Sequence, residues 1–566
     1  MTAHDVPASF HDDDSLTVTA PNGALARREM VEHTARFERR HWPVTDGVWC
    51  MVGNGLSNQT FVEGPGGLIV IDTGESIQEM GAALEAVREH TEAPIAGVIY
   101  SHFHYVGGTH AVLDAAGDPA LPIWSHRKVM ANRSRQAGEV GPVSRSGLIH
   151  QFGITLPDDG TDALVGAGIG RAFRNAEHSP WTEGFVAPTD TFDEPTTIVL
   201  AGLTVEMTPA PSDADDSLTI WFPELGVAVN NLMWPALFNV FAIRGEEYRD
   251  PRVLLAGFDH LLSLGAGHLV GTHGPPISGT ERIAEQITRS RDAIQFMWDQ
   301  TVRGVNKGLT HGELIEFVQL PDLFADSYFQ TQHYGLVEHH TRQIHSGLRG
   351  WFDGDESTLF PVPTTERADR LVAGFGGPEA VRGQADVALR ADDLRWALEL
   401  SSWLARRRTA EQIDRDRLAE VLRTIARRTT SANVRNWCLT RARHLDGTLS
   451  TDRFRLHRIG ADHAASAPAS DLVHPLRVTL DPIRCSGSER HVAVEFPDGT
   501  AGLHVRHGVA VPTDGSSAGV VLTVSRSAWA DMFNGRRSLD DLLSTGAATA
   551  TDDAAVAEFW SWFDLD

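Results

Sequence analysis

The most informative segment of this sequence is Tyr100-Ser101-His102-Phe103-His104-Tyr105-Val106-Gly107-Gly108. Two imidazoles one residue apart at the end of a strand can bind the same metal ion, because residues i and i+2 of extended backbone point to the same face. Imidazole nitrogen suits zinc, and also iron or manganese when oxygen ligands complete the coordination. We therefore predict that His102 and His104 are metal ligands.

The residues before this stretch predict the layer that holds it. Leu68-Ile69-Val70-Ile71 is an apolar run typical of a buried strand, and Ile95 to Tyr100 predicts a second strand. Between them, apolar residues recur at helical spacing: Ile77, Met80, Leu84 and Val87. A strand, helix, strand order implies a parallel pair of strands, with the histidine loop at the carboxyl end where such layers usually bind ligands.

The composition excludes two classes of protein. The 566 residues carry a net charge of -26 at pH 7, which would repel the phosphates of a nucleic acid. No segment approaches the ~20 consecutive apolar residues of a membrane helix. At about 150 residues per domain the length predicts three or four domains. We expect neither a nucleic-acid partner nor a membrane span.

The cysteines and the N-terminus predict the compartment. Cys50, Cys438 and Cys485 are scattered and lack the spacing of a disulfide framework or a thiolate zinc site. The first residues, Met1 to Pro7, contain neither the basic nor the apolar region of an export signal. Both observations favour a cytoplasmic location.

The pattern along the chain predicts four segments. Residues 1–40 form a lead-in, within which Leu25 to Val31 is predicted to be helical. Residues 41–290 alternate short apolar strands with helices, which predicts a two-sheet α/β unit. Residues 291–450 are predicted to be helical. Residues 451–566 show alternating strands followed by short helices and are predicted to form a small α+β domain.

With these segments in view, the chain resembles the alkyl sulfatases of the metallo-β-lactamase superfamily over almost its whole length. In the α/β unit the matching segments are Asn58-Gln59-Thr60-Phe61-Val62-Glu63-Gly64, Val98 to His104, Phe185 to Asp190, Phe222-Pro223-Glu224-Leu225, Asn239 to Gly245 and Gly271-Thr272-His273-Gly274. In the helical part they are Tyr334 to His339 and Gly350-Trp351-Phe352-Asp353-Gly354.

The resemblance implies a fold for each segment. Residues 41–290 would be a metallo-β-lactamase αββα sandwich that carries the catalytic site. Residues 291–450 would be the α-helical dimerisation region, so that the protein forms a homodimer. Residues 451–566 would be a sterol-carrier-like domain.

The resemblance also implies two zinc ions that cleave an alkyl sulfate ester, and here the sequence departs from the family. The family loop reads His-x-His-x-Asp-His before the two glycines, whereas this chain passes from His104 through Tyr105-Val106 directly to Gly107. The two glutamate ligands of the family fall on Ser212 and Asn231. The carboxylates that would hold two dications together are therefore missing.

Other family positions are retained. His273 matches a later histidine ligand, Asn239 and Arg244 match residues that hold the sulfate group, and His339 matches a histidine at the substrate end of the pocket. We predict one metal ion per chain, zinc with iron or manganese as alternatives, bound by His102, His104 and His273. Three further residues are candidates to complete the shell: Asp213, Asp216 and His110.

Three functions follow. The first is a metal-dependent hydrolase that acts on a small, anionic, sulfate-ester-like amphipathic substrate, with Arg244, Asn239 and His339 at the site. The second is a mononuclear iron oxidoreductase, whose ligands would be two histidines and Asp213 or Asp216. The third is a non-catalytic binder of an amphipathic ligand.

Overall fold

The computed structural model describes residues 9–10, 13–324, 327–450 and 457–565. The chain divides into two compact units, one of residues 1–129 and 147–450 and the other of residues 130–146 and 451–566. The second unit begins its long segment at the predicted residue 451, but it also takes up residues 130–146, which the sequence placed in the 41–290 segment. The predicted boundary between residues 290 and 291 is not tested by this division and stays a prediction.

The first unit contains two large sheets. One has seven strands in the order β3 to β9: Arg40–Thr45, Val48–Val52, Gln59–Gly64, Gly67–Ile71, Ile95–Ile99, Ile123–His126 and Asp190–Phe192. The other has six strands in the order β10 to β15: Thr196–Leu200, Leu203–Pro209, Leu218–Phe222, Val227–Asn230, His268–Gly271 and Ile277–Ser278.

The lead-in differs from its prediction. Leu25–Arg27 is a strand, β2, that pairs antiparallel with β1, Thr17–Thr19. The helix begins only at Arg28 and runs to Thr34 as α1. The predicted helix over Leu25 to Val31 is therefore wrong in its first three residues, because pairing with the short preceding strand β1 satisfies backbone groups of these residues instead.

The helices of the first unit are α2, Ile77–Val87; α3, Thr109–Ala116; α6, Pro251–Ser263; α7, Thr280–Asn306; α8, His311–Phe317; α9, Val337–Arg349; α10, Thr364–Gly374; α11, Pro378–Arg390; α12, Leu394–Arg406; α13, Gln412–Arg428; and α14, Ala432–Leu445. Two more helices are α4, Val129–Ala137, and α5, Gly141–Phe152. They contain the two points at which the chain passes from the first unit to the second and back again.

The two sheets lie face to face between layers of helix. Apolar side chains of both inner faces form one core, which includes Ile69, Ile71, Met207 and Ile220. Helix α2 packs on the outer face of the seven-stranded sheet, and α6 and α7 pack on the outer face of the other. This arrangement confirms the predicted αββα sandwich, which burial of both sheet faces favours.

The second unit has its own sheet of five strands, in the order β18, β17, β16, β19, β20. The strands are β16, Arg490–Phe496; β17, Gly499–Arg506; β18, Val509–Thr513; β19, Val520–Val524; and β20, Ala548–Ala550. Its helices are α15, Ala461–Ser466; α16, Ala469–Val473; α17, Arg526–Phe533; α18, Leu539–Ser544; and α19, Asp553–Trp560. The unit is α+β, as predicted, and its sterol-carrier-like character stays a prediction.

Candidate metal centre

The histidine loop lies where two parallel strands end. Strands β6 and β7 pair in parallel, and the loop after β7 is fastened to the loop after β6 by backbone hydrogen bonds from Thr73 to Tyr105 and from Gly107 to Gly74. The approach is so close that a Cβ on Gly108 would lie 2.1 Å from the carbonyl oxygen of Thr73. The two glycines therefore allow the loop to fold back onto the sheet.

A buried chain of hydrogen bonds orients His102. The Ser101 hydroxyl donates to Asp72 at 2.6 Å, and the same oxygen lies 2.9 Å from Nδ1 of His102. Because that hydroxyl proton is used on Asp72, Nδ1 of His102 is the donor to Ser101. This tautomer leaves the lone pair of His102 on Nε2, which is buried without a hydrogen-bond partner among the described residues. Such support of a ligand histidine is typical of metal sites.

Three side chains converge at this point. Oδ2 of Asp213, from the loop between β11 and β12, lies 3.5 Å from Nε2 of His102 and 2.7 Å from Nδ1 of His104. The ligand atoms of the three residues all lie within 4.8 Å of one another, and within the described ranges no other group of histidine, cysteine, aspartate or glutamate residues meets that criterion. Among the three candidates for completing the shell, the structure brings in Asp213.

The donors fit a metal ion. Two donors bound to one tetrahedral zinc ion at about 2.0–2.1 Å lie roughly 3.4 Å apart, close to the separation of Asp213 and His102. The hydrogen bond between Asp213 and His104 contains a proton, and metal binding displaces protons of this kind. The site therefore has two nitrogen donors and one carboxylate for a single divalent ion.

Two buried arginines complete the surroundings of Asp213. Nη2 of Arg249 donates a short hydrogen bond to Oδ1, and Nη2 of Arg244 lies 3.7 Å from the same oxygen. The Arg244 side chain is 6% exposed and also bonds Glu246 through Nε at 2.8 Å. The Arg244 guanidinium therefore lies inside the site, 3.4 Å from Nε2 of His104.

Electrostatics keep Asp213 ionised. Burial alone would raise the pKa of this carboxyl, but the charge of Arg249 and the hydrogen bond from His104 hold the pKa well below its usual range. Burial lowers the pKa of His102. An ionised carboxylate beside two imidazole rings is a set of donors that can bind a metal ion.

His273 lies next to this group but is not part of it. Its Nδ1 is 3.0 Å from the carbonyl oxygen of Leu56, and its Nε2 is 3.4 Å from the hydroxyl of Tyr105. The Tyr105 ring stands edge-on to both His102 and His273. Tyr105 therefore lies beside both His102 and His273, and the predicted role of His273 as a ligand stays a prediction.

The other predicted site residues lie outside the group of His102, His104 and Asp213. Asn239 donates to the carbonyl oxygen of Phe241 through Nδ2, and its Oδ1 accepts from Arg249. His339 stands edge-on to Phe241, with Nε2 3.5 Å from Glu338. His110 is exposed on α3, and Asp216 is buried outside the three-residue group. The roles of Asn239 and His339 stay predictions.

Sequence reasoning missed Arg249 and Tyr334. The Tyr334 hydroxyl accepts from Gln151, which in turn accepts from the backbone of Arg244, so the helical part supports the arginine. A signal for Arg249 was present, because an arginine five residues after Arg244 is conspicuous in so acidic a chain. Its partner could not be read from spacing, since Asp213 lies 36 residues earlier.

Comparisons with known proteins identify the family of the chain. A model of the metallo-β-lactamase superfamily matches residues 52–229, and a model described as alkyl sulfatase dimerisation matches residues 310–448. A linear primary-alkylsulfatase of a Pseudomonas sp. is 34% identical over 480 residues, covering 82% of this chain and 90% of the relative. An (R)-specific secondary-alkylsulfatase of a Pseudomonas sp. is 26% identical, covering 81% and 70%.

A solved structure shares the fold. The stereoselective inverting sec-alkylsulfatase of a Pseudomonas sp. superimposes with a TM-score of 0.84 at 22% identity, over 97% of this chain and 92% of that one. Within the described residues, none of the helices combines the length and apolarity that a membrane crossing demands.

Proposed function

Because the chain belongs to the alkylsulfatase family of the metallo-β-lactamase superfamily, we propose that it hydrolyses the sulfate ester of a small amphipathic substrate at a site with one metal ion. The predicted family and the predicted enzyme class, a metal-dependent hydrolase, are confirmed. The observation that carries the one-ion proposal is the convergence of His102, His104 and Asp213 beside the buried Arg244.

The chain's own residues define how one ion would be held. Nε2 of His102, Nδ1 of His104 and Oδ2 of Asp213 would bind it, and we propose zinc, with iron or manganese as alternatives. When bound, a divalent ion supplies positive charge that polarises an ester and makes a water molecule easier to deprotonate. The position of His273 beside Tyr105 leaves it available as a further ligand or as a neighbour of the reacting groups.

The charges of the site suit an anionic substrate. Two carboxylates, Asp213 and Glu246, face two guanidinium groups, Arg244 and Arg249, so these four charges cancel. A bound dication would leave the site positive, which favours a sulfate monoester over a neutral ester. We propose that Arg244, whose Nη2 faces the histidines, binds the sulfate oxygens with its planar fork.

The alternatives are weaker. Two histidines and one aspartate are also the ligand set that a mononuclear iron oxidoreductase would use. The relatives, however, are sulfatases, and they favour neither an oxidoreductase nor a non-catalytic binder.

Metal analysis combined with sulfate release tests the proposal. We expect protein purified without chelators to contain about one divalent ion per chain and to release inorganic sulfate from dodecyl sulfate. His102→Ala should abolish both the bound ion and the sulfate release. His110→Ala, at an exposed histidine near the same loop, is the matched control and should change neither. Full activity of metal-free protein would refute the one-ion site.

We also propose that the protein is a homodimer joined through the helical region. Three exposed aromatic side chains lie within the matched dimerisation segment: Trp351, Phe352 and Phe360, which are 65%, 39% and 88% exposed. Large exposed aromatic side chains are typical of protein interfaces. Phe360→Asp should shift the protein from dimer to monomer in sedimentation experiments, whereas Val199→Asp, at an exposed apolar residue of β10, should not. A monomeric wild type at low micromolar concentration would contradict the proposal.

A cytoplasmic location is proposed on the state of the cysteines. Cys50, Cys438 and Cys485 are all free and buried, and burial raises the pKa of the thiols of Cys50 and Cys438 to about 12. Free, unreactive thiols fit a reducing compartment. Cell fractionation with an antibody to the protein checks this location.

A further inference from the structure

We infer that Arg249 is a positioning residue: it holds the Asp213 carboxylate in the one orientation that presents Oδ2 to the metal ion. The inference rests on the proposed function, since it assigns a role toward the same ion. No motif singled out this arginine, and it takes part in the site only through another residue.

The contacts of Arg249 are all with the protein. Its side chain is 3% exposed. Nη2 donates to Oδ1 of Asp213, and Nη1 donates to both the carbonyl oxygen and the side-chain oxygen of Asn239. Across the described part of the chain, Asp213 is the single carboxylate with which Arg249 forms a salt bridge. The guanidinium is thus anchored at one end and grips one carboxylate oxygen with the other.

Aromatic packing fixes the plane of the guanidinium. The rings of Trp234 and Phe238 lie 5.8 and 5.7 Å from its central carbon, a distance at which a cation is attracted to an aromatic face. Asp250, the next residue, caps the N-terminus of α6, and Pro251 occupies its first turn. Backbone and side chain are therefore both restrained, as a positioning residue requires.

The hydrogen bond from Arg249 determines which oxygen of the Asp213 carboxylate faces the histidines. With Oδ1 bonded to Arg249, only Oδ2 faces Nε2 of His102 and Nδ1 of His104. Without the grip, Asp213 would be free to rotate or to pair both oxygens with Arg244, whose Nη2 is 3.7 Å from Oδ1. Hydrogen bonds to the non-ligating atoms of metal ligands commonly matter by 10- to 100-fold, as an order of magnitude, in metal affinity.

The two arginines consequently have different roles. Arg244 directs Nη2 toward His104, in a position to reach a substrate anion. Arg249 has both terminal nitrogens committed to Asp213 and Asn239. Asn239 in turn has its amide oxygen on Arg249 and its amide nitrogen on the carbonyl oxygen of Phe241. In this arrangement Asn239 supports Arg249, a role different from the predicted direct contact with the sulfate group.

Cobalt binding to the full-length protein tests the inference without relying on activity. Metal-stripped wild type, Arg249→Lys and Arg249→Gln would be titrated with Co²⁺ in competition with a chelator, and the visible absorption of the bound ion recorded. We expect Arg249→Gln to bind Co²⁺ about 10- to 100-fold more weakly and with an altered spectrum, because the geometry of one ligand is released. Arg249→Lys should recover part of the affinity, since its ammonium can still bond Oδ1.

Controls separate positioning from general loss of structure. Arg382→Gln removes another arginine that bonds a buried aspartate, Asp414, and should leave the Co²⁺ affinity and spectrum unchanged. Asn239→Ala keeps the charge of Arg249 but removes its anchor, and should weaken Co²⁺ binding less than Arg249→Gln does. Should Arg249→Gln fail to fold, as judged by thermal unfolding, Arg249→Lys and Asn239→Ala decide the question.

The outcomes distinguish this inference from the function on which it rests. If wild type binds neither Co²⁺ nor Zn²⁺, the one-ion function fails. If wild type binds Co²⁺ and all the Arg249 and Asn239 variants match it in affinity and spectrum, the metal site stands and the positioning role of Arg249 is overturned.

Discussion

Two buried aspartates, Asp414 and Asp213, each lie within salt-bridge distance of two arginines, but they have different roles in the molecule. Asp414, at the start of α13, accepts from Arg382 on Oδ1 and from Arg407 on Oδ2, which also accepts from the backbone of Glu411. Asp213 accepts from Arg249 on Oδ1, while its Oδ2 faces two imidazoles. Both side chains are almost wholly inaccessible, at 0% and 2% exposure.

The difference lies in the second oxygen. Both carboxylate oxygens of Asp414 accept hydrogen bonds from arginine side chains or the backbone of the protein. The role of this cluster is therefore to stabilise the helices. In Asp213 the second oxygen meets nitrogen atoms that are themselves metal ligands by type. The feature that separates this site from a structural ion pair is therefore a buried carboxylate with one oxygen directed at potential metal ligands.

The largest effect is expected from Asp213→Asn. Loss of the anionic donor should remove the metal ion and lower the rate of sulfate release by about 10³-fold or more, which corresponds to roughly 4 kcal/mol. Elemental analysis and a sulfate assay measure the two effects. Asp215→Asn, in the same loop but paired with Lys128 at the surface, is the control. If the Asp213 variant kept its metal ion and its rate of sulfate release, Asp213 would not be a metal ligand and would not differ in role from Asp414.

Asp414→Asn should produce the reverse result. Removing one partner of a buried ion pair leaves uncompensated charge, here on Arg382 and Arg407, and we expect a loss of about 3 kcal/mol in the free energy of unfolding. The value is at the low end because Arg382 also bonds the more exposed Glu379 and Glu411. Denaturant unfolding measures it. Metal content should be unchanged, and a loss of metal would show that the two clusters are coupled.

The sequence pattern predicted the strands of the α/β unit well because these strands are recognisable on their own. Strands β6 and β7 lie within one residue of the predicted runs, since strands buried on both faces are continuous apolar segments. The failure at Leu25–Arg27 has the opposite cause. A three-residue strand has no periodicity of its own, and the following helix extends its pattern over it.

The sequence predicted only those site residues that lie close together along the chain. His102 and His104 belong to one short loop, and their pattern identified them. Asp213 entered as one of three candidates, because the sequence does not fix which side chain of an acidic loop turns inward. Arg249 was missed because its importance depends on where Asp213 lies. Long-range pairing of charges is set by topology, which spacing along the chain does not reveal.

A neutral pair of imidazoles extends the comparison to pH. His33 and His333 stack with ring centroids 4.1 Å apart and are both buried, with no carboxylate in a salt bridge to either among the described residues. Burial, together with the neighbouring His333, lowers the pKa of His33 to about 3, and burial lowers that of His333 to about 4. Unlike His102 and His104, they gain nothing from a bound cation.

Acid should therefore destabilise the fold through His33 and His333. The folded pKa values lie below the unfolded value of about 6.5, so the unfolded state binds more protons. The stabilisation is complete above pH 6.5 and is lost as the pH falls toward 4. We expect each of the two histidines to contribute roughly 2 kcal/mol less stability at pH 5 than at pH 7. Unfolding of wild type and of His333→Phe, which keeps the ring, measures this. An unchanged pH slope in the variant would assign the acid sensitivity to other groups.

The smallest expected effect concerns the glutamate that bonds the arginine in each cluster. Glu411, bonded to Arg382, is 65% exposed, whereas Glu246, bonded to Arg244, is 16% exposed and lies 3.8 Å from Nε2 of His104. Glu246→Gln makes the site more positive by one charge and frees Arg244, so inorganic sulfate should inhibit about tenfold more strongly, or roughly 1.4 kcal/mol. Glu247→Gln, at the exposed neighbour, should leave sulfate inhibition unchanged. Equal inhibition of the wild type and the Glu246 variant would mean that Arg244 does not face the anion, and the two arginine clusters would then differ only in the imidazoles beside Asp213.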